Sequence, residues 1–337
     1  ANDKIRIYET TRLEESDNFN AKDGWVVCKD ETLMRWSQMA YYLGDLINKR
    51  LGCAVGVLCA YQGASNIHTW LPRERTLEPD LLVSERNLYT LDIARGFYWN
   101  FPGTLYAYQF KKIAGYTVSR VIWYQGENNT NRAKEYYHLF PAMINDWRKK
   151  WGKDFPFYWV QLANYMDAVE VPSESLWAQV REAQTQTLSL PHTGQAVIID
   201  IGEAKDIHPK NKQEVGRRLA LHALHNDYGF SDVVCESPMP KTVRRVQDKI
   251  VVQFDNVADG LIVKNKYGYL MSFAVAGNDG VYKWVQAKVA GKDRVVLSCP
   301  DVIDPVSVRY AWGDNPDDAN LYNSVGLPAT PFEIRIE

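Results

Sequence analysis

The sequence predicts an α/β fold, built on a parallel sheet flanked by helices, with a C-terminal β-sandwich-like appendage. The chain of 337 residues has room for two domains. Helix and strand patterns alternate over its first two-thirds, which is typical of a parallel sheet covered on both faces. From about residue 235, short alternating runs separated by turn residues replace the helices. We therefore predict an α/β domain over residues 1–232 and a β-rich domain over residues 233–337.

Apolar spacing places the elements of the first domain. The predicted helices are residues 35–51, 132–151, 173–188 and 210–226, and the predicted strands are residues 55–60, 118–124, 157–162 and 196–200. Ser173, behind Pro172, is the expected N-cap of the third helix. Active sites of such sheets lie outside the carboxyl ends of the strands. Gly63, Gln125 and Asp200 all lie at or just after such ends.

In the second domain, five short runs of alternating apolar and polar residues predict strands. They are residues 249–254, 270–276, 282–289, 294–298 and 306–312.

Composition and charge narrow the possible functions. Lys and Arg number 39 against 41 Asp and Glu, and this balance argues against nucleic-acid binding. The sequence has no apolar run of about 18 residues, so we expect no membrane span. The five cysteines form no CxxC pair, and His222 and His225 lack a third ligand at matching spacing, so we expect no metal and no cofactor. The 11 Trp and 20 Tyr fit an aromatic core or a sugar-binding surface.

Two segments after strand ends carry groups that can stabilise an oxyanion. In the run YQGASN, Gly63 lets a backbone N–H face a ligand closely. In the run WYQGENN, the side-chain amide of Gln125 can donate to a developing oxyanion. The alternatives are a plain strand-to-helix turn and a capped loop that satisfies its own backbone.

A third segment pairs an acid with a histidine. Asp206 lies two residues before His208, on the loop between a strand and a helix. A catalytic imidazole needs an acceptor to fix its tautomer, and Asp206 can supply it. The alternative is a surface histidine beside a solvated acid. Ser65 is a candidate nucleophile by proximity alone.

Taken together, these segments resemble the sialate O-acetylesterase family of SGNH (GDSL-like) hydrolases, near carbohydrate esterase family 6. The matching stretches are YQGASNIHTW at 61–70, WYQGENN at 123–129, REAQ at 181–184, DIHPKNKQEVGRRLAL at 206–221 and VRYAWGDNPDDANLYNSVGLPATPF at 308–332. In the first stretch the family usually has GGT, whose Thr aligns with Ser65. The resemblance implies a three-layer SGNH-hydrolase-like catalytic domain.

The resemblance also implies an activity and site residues. Members of the family remove O-acetyl groups from sugars with a serine nucleophile and no metal. His208 would be the general base and Asp206 its orienting partner. The Gly63 N–H and the Gln125 amide would form the oxyanion hole, and Glu127 and Asn128 belong to the same active-site block. Trp70, Trp123 and Tyr124 are candidates for a sugar platform.

The chain departs from the family pattern at two places. Many relatives place the acid three residues before the histidine, where this chain has Lys205. The family's nucleophile block, GQSNM, does not occur in the 337 residues. We expect this block upstream of residue 1, as a cleaved, deleted or separate segment.

Two functions therefore remain open. The first is an esterase acting on O-acetylated sialic acid or a related glycan, secreted or periplasmic by family resemblance. The second is a non-catalytic sugar-binding remnant, or pseudoenzyme, that lacks its nucleophile.

Overall fold

The computed structural model of the chain describes residues 2–10, 24–33, 36–81 and 94–337. The chain divides into two compact units whose segments interleave along the sequence. The first unit comprises residues 1–159, 187–194 and 211–230, and the second comprises residues 160–186, 195–210 and 231–337. The domain boundary at 232/233 stays a prediction.

Among the described residues, strands and helices alternate from residue 55 to residue 222, and the later elements are strands, apart from one π-helical turn at Ala223–Asp227. The helices are α1 Asp30–Leu33, α2 Gln38–Leu51, α3 Lys111–Ile113, α4 Ala133–Trp151, α5 Leu176–Gln186 and α6 Lys212–His222. The strands up to residue 200 are β1 Ile5–Glu9, β2 Val26–Val27, β3 Val55–Cys59, β4 Val121–Trp123, β5 Phe157–Val160 and β6 Thr193–Ala196. The later strands are β7 Met239–Val246, β8 Lys249–Asp255, β9 Leu261–Val263, β10 Phe273–Ala276, β11 Tyr282–Trp284, β12 Gln286–Ala290, β13 Arg294–Ser298, β14 Ser307–Tyr310, β15 Leu321–Asn323 and β16 Phe332–Arg335.

The strands up to β6 form two three-stranded sheets, in the orders β2-β1-β3 and β4-β5-β6. The β1–β3 and β4–β5 pairs are parallel, whereas β2 runs antiparallel to β1. Between β5 and β6, the Phe157 N–H donates to the His192 carbonyl (2.9 Å) and the Gln161 N–H donates to the Ala196 carbonyl (3.0 Å). Both chains advance in the same direction from the first bond to the second, as in a parallel pair. In the described part of the chain, one edge strand of each sheet is parallel to its neighbour. This strand is β3 in the first sheet and β4 in the second.

An aromatic core fills the first unit. The Trp70 and Trp123 rings pack edge to face with centroids 5.7 Å apart, and Trp147 contacts both. Trp70 is 3% exposed and Trp123 is 6% exposed. These two rings therefore belong to the core, where they bury large apolar surfaces, and no sugar can stack on them here.

The second unit contains a β-sandwich. Its two four-stranded sheets have the orders β12-β13-β8-β7 and β11-β10-β14-β16, and the strand pairs within them are antiparallel. One core joins the inward-facing residues of both sheets, among them Ile250, Val252, Leu297, Val275 and Tyr310. The predicted α/β class with a β-sandwich-like C-terminal region is confirmed.

Several predicted element bounds shift in the structure. The run at 196–200 contributes only Ala196 to β6, and the run at 282–289 divides into β11 and β12. The third long helix, α5, is capped by Ser175, whose Oγ accepts the Ala178 N–H (2.9 Å), so the predicted cap at Ser173 was wrong. Arg35, the predicted start of the first helix, lies outside the described residues.

Candidate active site

The turn after β3 is held in place by side-chain amides. Ala64 has a φ of 49°, a left-handed conformation in which its carbonyl faces two amide groups. Asn100 Nδ2 donates to that carbonyl at 2.8 Å and Asn128 Nδ2 at 2.9 Å. Gln125 Nε2 donates to the next carbonyl, that of Ser65, at 2.8 Å. The turn is thereby fixed with Gly63 exposed at its tip.

Gln125 uses both hydrogens of its amide inside this network. Besides Ser65, it donates to Asn129 Oδ1 at 2.7 Å, while the Tyr136 hydroxyl donates to Gln125 Oε1 at 3.1 Å. Asn129 Oδ1 also accepts the Ile67 N–H at 2.9 Å. In this arrangement, Gln125 holds the backbone of the turn.

Ser65 lies in the interior. Its side chain is 6% exposed, and its Oγ accepts a hydrogen bond from Trp70 Nε1 at 3.1 Å. A hydroxyl in that position supports the turn, as expected for the residue that aligns with the family's Thr. The geometry does not suit a nucleophile, which has to reach a substrate carbonyl.

The second unit carries the acid–histidine pair on the loop after β6. Asp206 Oδ1 accepts the backbone N–H of His208 at 2.9 Å and lies 3.5 Å from His208 Nδ1. The His208 side chain is 85% exposed, so its ring is accessible to a substrate. The His208 backbone N–H, helped by the charge of Lys210, holds the pKa of the Asp206 carboxyl below its ordinary value. Asp206 is therefore an ionised acceptor at neutral pH.

The start of this loop is fixed by Asn164. Asn164 Oδ1 accepts the Gly202 N–H at 2.7 Å, and Asn164 Nδ2 donates to Asn315 Oδ1 at 2.8 Å. A Cβ on Gly202 would lie 2.2 Å from the Asn164 carbonyl oxygen, so only glycine fits there. The Met166 N–H adds a bond to the Ala204 carbonyl (3.0 Å). The loop that carries His208 is thus tied to the chain that follows β5.

Arg181 binds the backbone of the segments that contain Asn164 and Asn315. Its buried guanidinium donates to four carbonyl oxygens at 2.6–2.9 Å, those of Leu162, Ala163, Gly313 and Asp314. Burial lowers the pKa of Arg181, and the nearby Asp314 charge opposes that change. Four acceptors compensate the cost of placing this cation in the interior.

The structure brings the Gly63 turn, Gln125 and Asn128 together in the first unit, and Asp206 and His208 together in the second. Glu127 begins a 3₁₀ turn beside Asn128, and its carbonyl accepts the Thr130 hydroxyl at 2.9 Å. Sequence analysis missed two supporting residues, Asn100 and Asn164. Asn164 follows a predicted strand end, a signal that was available, whereas nothing local marks Asn100.

None of the helices in the described residues has both the length and the hydropathy required to cross a membrane.

Comparison with known proteins identifies the class and then the family. A family model described as "Carbohydrate esterase, sialic acid-specific acetylesterase" matches residues 37–225, which is more than half of the chain. The α/β fold and its strand-end loops are thus those of a carbohydrate esterase. Within that class, the chain belongs to the sialic acid-specific acetylesterase family.

Relatives and a solved structure agree with this assignment. The chain is 25% identical to rat (Rattus norvegicus) sialate O-acetylesterase, over 89% of the chain and 64% of that protein. It is 30% identical to human sialate O-acetylesterase, over 64% of the chain and 46% of that protein. A crystal structure of a carbohydrate acetylesterase from Xanthomonas citri is 33% identical, with a TM-score of 0.84 over 99% of the chain and 73% of that structure. The chain thus spans about half to two-thirds of these curated relatives.

Proposed function

We propose that the chain is the larger part of a carbohydrate O-acetylesterase that works by serine–histidine acyl transfer. The observation that carries the proposal is the exposed His208 with the ionised Asp206 beside its Nδ1, in a chain of this family. His208 accepts the proton of the attacking hydroxyl and later returns it to the departing sugar oxygen. Asp206 stabilises the imidazolium that forms between these two transfers.

The tetrahedral oxyanion is assigned to the turn after β3. Gly63 is exposed at the tip of that turn, and its backbone N–H is the proposed donor. Gln125 is the second proposed donor, and it has to exchange its bond to Ser65 or Asn129 in order to reach the oxyanion. Loss of one such donor typically lowers the rate by about 100- to 1000-fold.

The nucleophilic serine is assigned to a GQSNM-type segment outside the 337 residues. Two features support a strand from such a segment. In the described part of the chain, the parallel strands β3 and β4 each lie at the edge of a sheet, and both are only partly buried, whereas every residue of β5 is buried. Unpaired edges of parallel strands offer free backbone donors and acceptors to an incoming strand. The proposed partner segment pairs there and presents its serine at a strand end.

The test is hydrolysis of 4-nitrophenyl acetate and of an O-acetylated sialic acid. The chain is assayed alone and together with a segment that carries the GQSNM block of a relative. His208→Ala is expected to lower the rate by about 100-fold or more. His192→Ala is the matched control, because His192 is also an exposed histidine near an acid, Asp154, at 3.9 Å.

Each outcome has a distinct meaning. Activity that disappears in His208→Ala and persists in His192→Ala supports the esterase. Activity that survives in His208→Ala contradicts the assigned base. An absence of activity even with the added segment contradicts the esterase and favours the non-catalytic sugar-binding remnant.

A further inference from the structure

A pocket of about 320 Å³ opens in the second unit, and neither Asp206 nor His208 is among the residues that line it. Its lining comes from residues 168–170, 270–273, 284–285, 311–313 and 315–318. It therefore lies at the ends of β10 and β11, beside the loop that follows β14. The last segment belongs to the C-terminal motif at residues 308–332. The proposed acyl transfer assigns no role to that motif.

Trp284 forms an aromatic wall of this pocket. Its side chain is 43% exposed, yet its indole Nε1–H donates to the Glu170 carbonyl at 2.9 Å, and this bond fixes the ring. Met271 and Val169, also in the lining, are 45% and 44% exposed. An exposed apolar group with a fixed indole at its centre is typical of a ligand-binding surface. The C–H face of a pyranose ring fits such a surface.

A second indole, that of Trp312, also lies at the pocket. Trp312 is 6% exposed, and its Nε1–H has no acceptor among the described residues. The Arg309 guanidinium lies over its ring, 4.9 Å from the centroid. Buried N–H groups are nearly always paired, so this donor indicates an acceptor that the described residues do not supply. A sugar hydroxyl, directly or through a water, is an acceptor of the right kind.

The charge of the lining selects the kind of sugar. Glu170, Asp317 and Asp318 line the pocket, and none of the described residues in its lining is Lys or Arg. Arg309, the cation beside Trp312, is already paired with Glu174 and Glu333, at 2.6 Å each. Carboxylates accept hydrogen bonds from sugar hydroxyls and repel a sugar that carries its own carboxylate.

The pocket wall is continuous with the support of the His208 loop. Asn315 lines the pocket, donates to the Met166 carbonyl at 2.7 Å and accepts from Asn164 Nδ2. Asn164 in turn holds Gly202 at the start of that loop. We propose that this pocket is a subsite for an uncharged pyranose unit of the glycan substrate. This proposal rests on the proposed function only because it calls that glycan the substrate.

The test measures binding, so that it does not depend on catalysis. Cellotetraose and xylotetraose are the uncharged probes, and the methyl glycoside of N-acetylneuraminic acid is the charged one, each titrated by calorimetry and by saturation-transfer NMR. We expect the uncharged probes to bind at least tenfold more tightly than the sialoside. Trp284→Ala is expected to weaken their binding at least tenfold, and Trp284→Phe to restore part of it.

Two further variants sharpen the result. Tyr267→Ala removes a 71% exposed aromatic outside the pocket and is expected to leave the affinity unchanged. The double change Asp317→Asn with Asp318→Asn is expected to bring the affinity for the sialoside close to that for the uncharged probes. Circular dichroism and thermal unfolding confirm that each variant is folded.

The proposal is overturned if no uncharged probe binds, if Trp284→Ala binds as well as the parent, or if the sialoside binds as tightly as the uncharged probes. Sugar binding through Trp284 without any ester hydrolysis would leave the subsite standing and contradict the proposed function. Hydrolysis dependent on His208, with sugar affinity unchanged in Trp284→Ala, would do the reverse.

Discussion

Ala64 occupies a conformation that its side chain disfavours. Its φ of 49° lies in the left-handed region, which costs an L-residue roughly 1–2 kcal/mol. The family's GGT block has glycine where this chain has Ala64. Three amide side chains bind the carbonyls of Ala64 and Ser65, and these bonds hold the turn despite that cost.

We expect Ala64→Gly to stabilise the protein by about 0.5–1 kcal/mol, because relief of the strain exceeds the extra chain entropy of glycine. Ala64 is exposed, so the change removes no core contact. Urea unfolding measures the difference. The matched control, Ala40→Gly within α2, is expected to destabilise by about 1 kcal/mol. A loss of stability in Ala64→Gly would mean that the turn is not strained.

The contact between Asp206 and His208 was predictable because it is local. Asp206 and His208 are two positions apart, and that spacing lets one carboxylate meet both the backbone N–H and the ring. Gln125, by contrast, donates to the Ser65 carbonyl, which lies 60 positions away in the sequence, so the engagement of its amide depends on how distant segments meet. Sequence patterns contain no such distances.

At the scale of the elements, α2 and α6 approach each other at a glycine. A Cβ on Gly216 would lie 2.8 Å from Tyr42 Cβ and 2.9 Å from the Met39 carbonyl oxygen. Both neighbours are close to the backbone of α2 and cannot rotate away. The absence of a side chain at Gly216 therefore sets the separation of the two helices.

Gly216→Ala is expected to destabilise the protein by about 1–3 kcal/mol, since the helices have to move apart. The melting temperature and the urea midpoint both report the change. Gly115→Ala serves as the control, because a Cβ there meets nothing within 4 Å. If the two variants have the same melting temperature and urea midpoint, the helices can move apart at Gly216 without loss of stability.

Element type was easier to predict than element ends. Apolar periodicity predicted α4 to within one residue and β13 fully. The run at 282–289 reads as one strand, yet Tyr282–Trp284 pairs with β10 and Gln286–Ala290 pairs with β13, in different sheets. A change of partner within one run leaves no periodic signal. The strand β7 was missed because its Pro and three basic residues conceal the alternation.

At the scale of the whole molecule, Arg181 joins parts of the chain that are far apart in sequence. One side chain on α5 binds the chain after β5 and the loop after β14. The REAQ motif pointed to Arg181, but its acceptors are main-chain oxygens, which no sequence motif identifies. The family and the fold class were therefore predictable from the sequence, whereas the way in which its motifs support one another was not.

Arg181→Lys is expected to cost about 2–4 kcal/mol, because lysine cannot serve four carbonyls and leaves buried acceptors unpaired. Urea unfolding followed by circular dichroism measures the loss. Arg245→Lys, at a 52% exposed side chain, is the control and should change little. A loss of less than about 1 kcal/mol would contradict the assigned role of Arg181.

The bonds of Arg181 also bear on how such a protein can diverge. Leu162, Ala163 and Gly313 contribute carbonyl oxygens that every amino acid possesses. Mutations at those codons keep the acceptors, whereas a mutation at the Arg181 codon removes all the donors at once. Selection for this connection therefore falls on one codon, and the positions that supply only a carbonyl oxygen to it can change without breaking it.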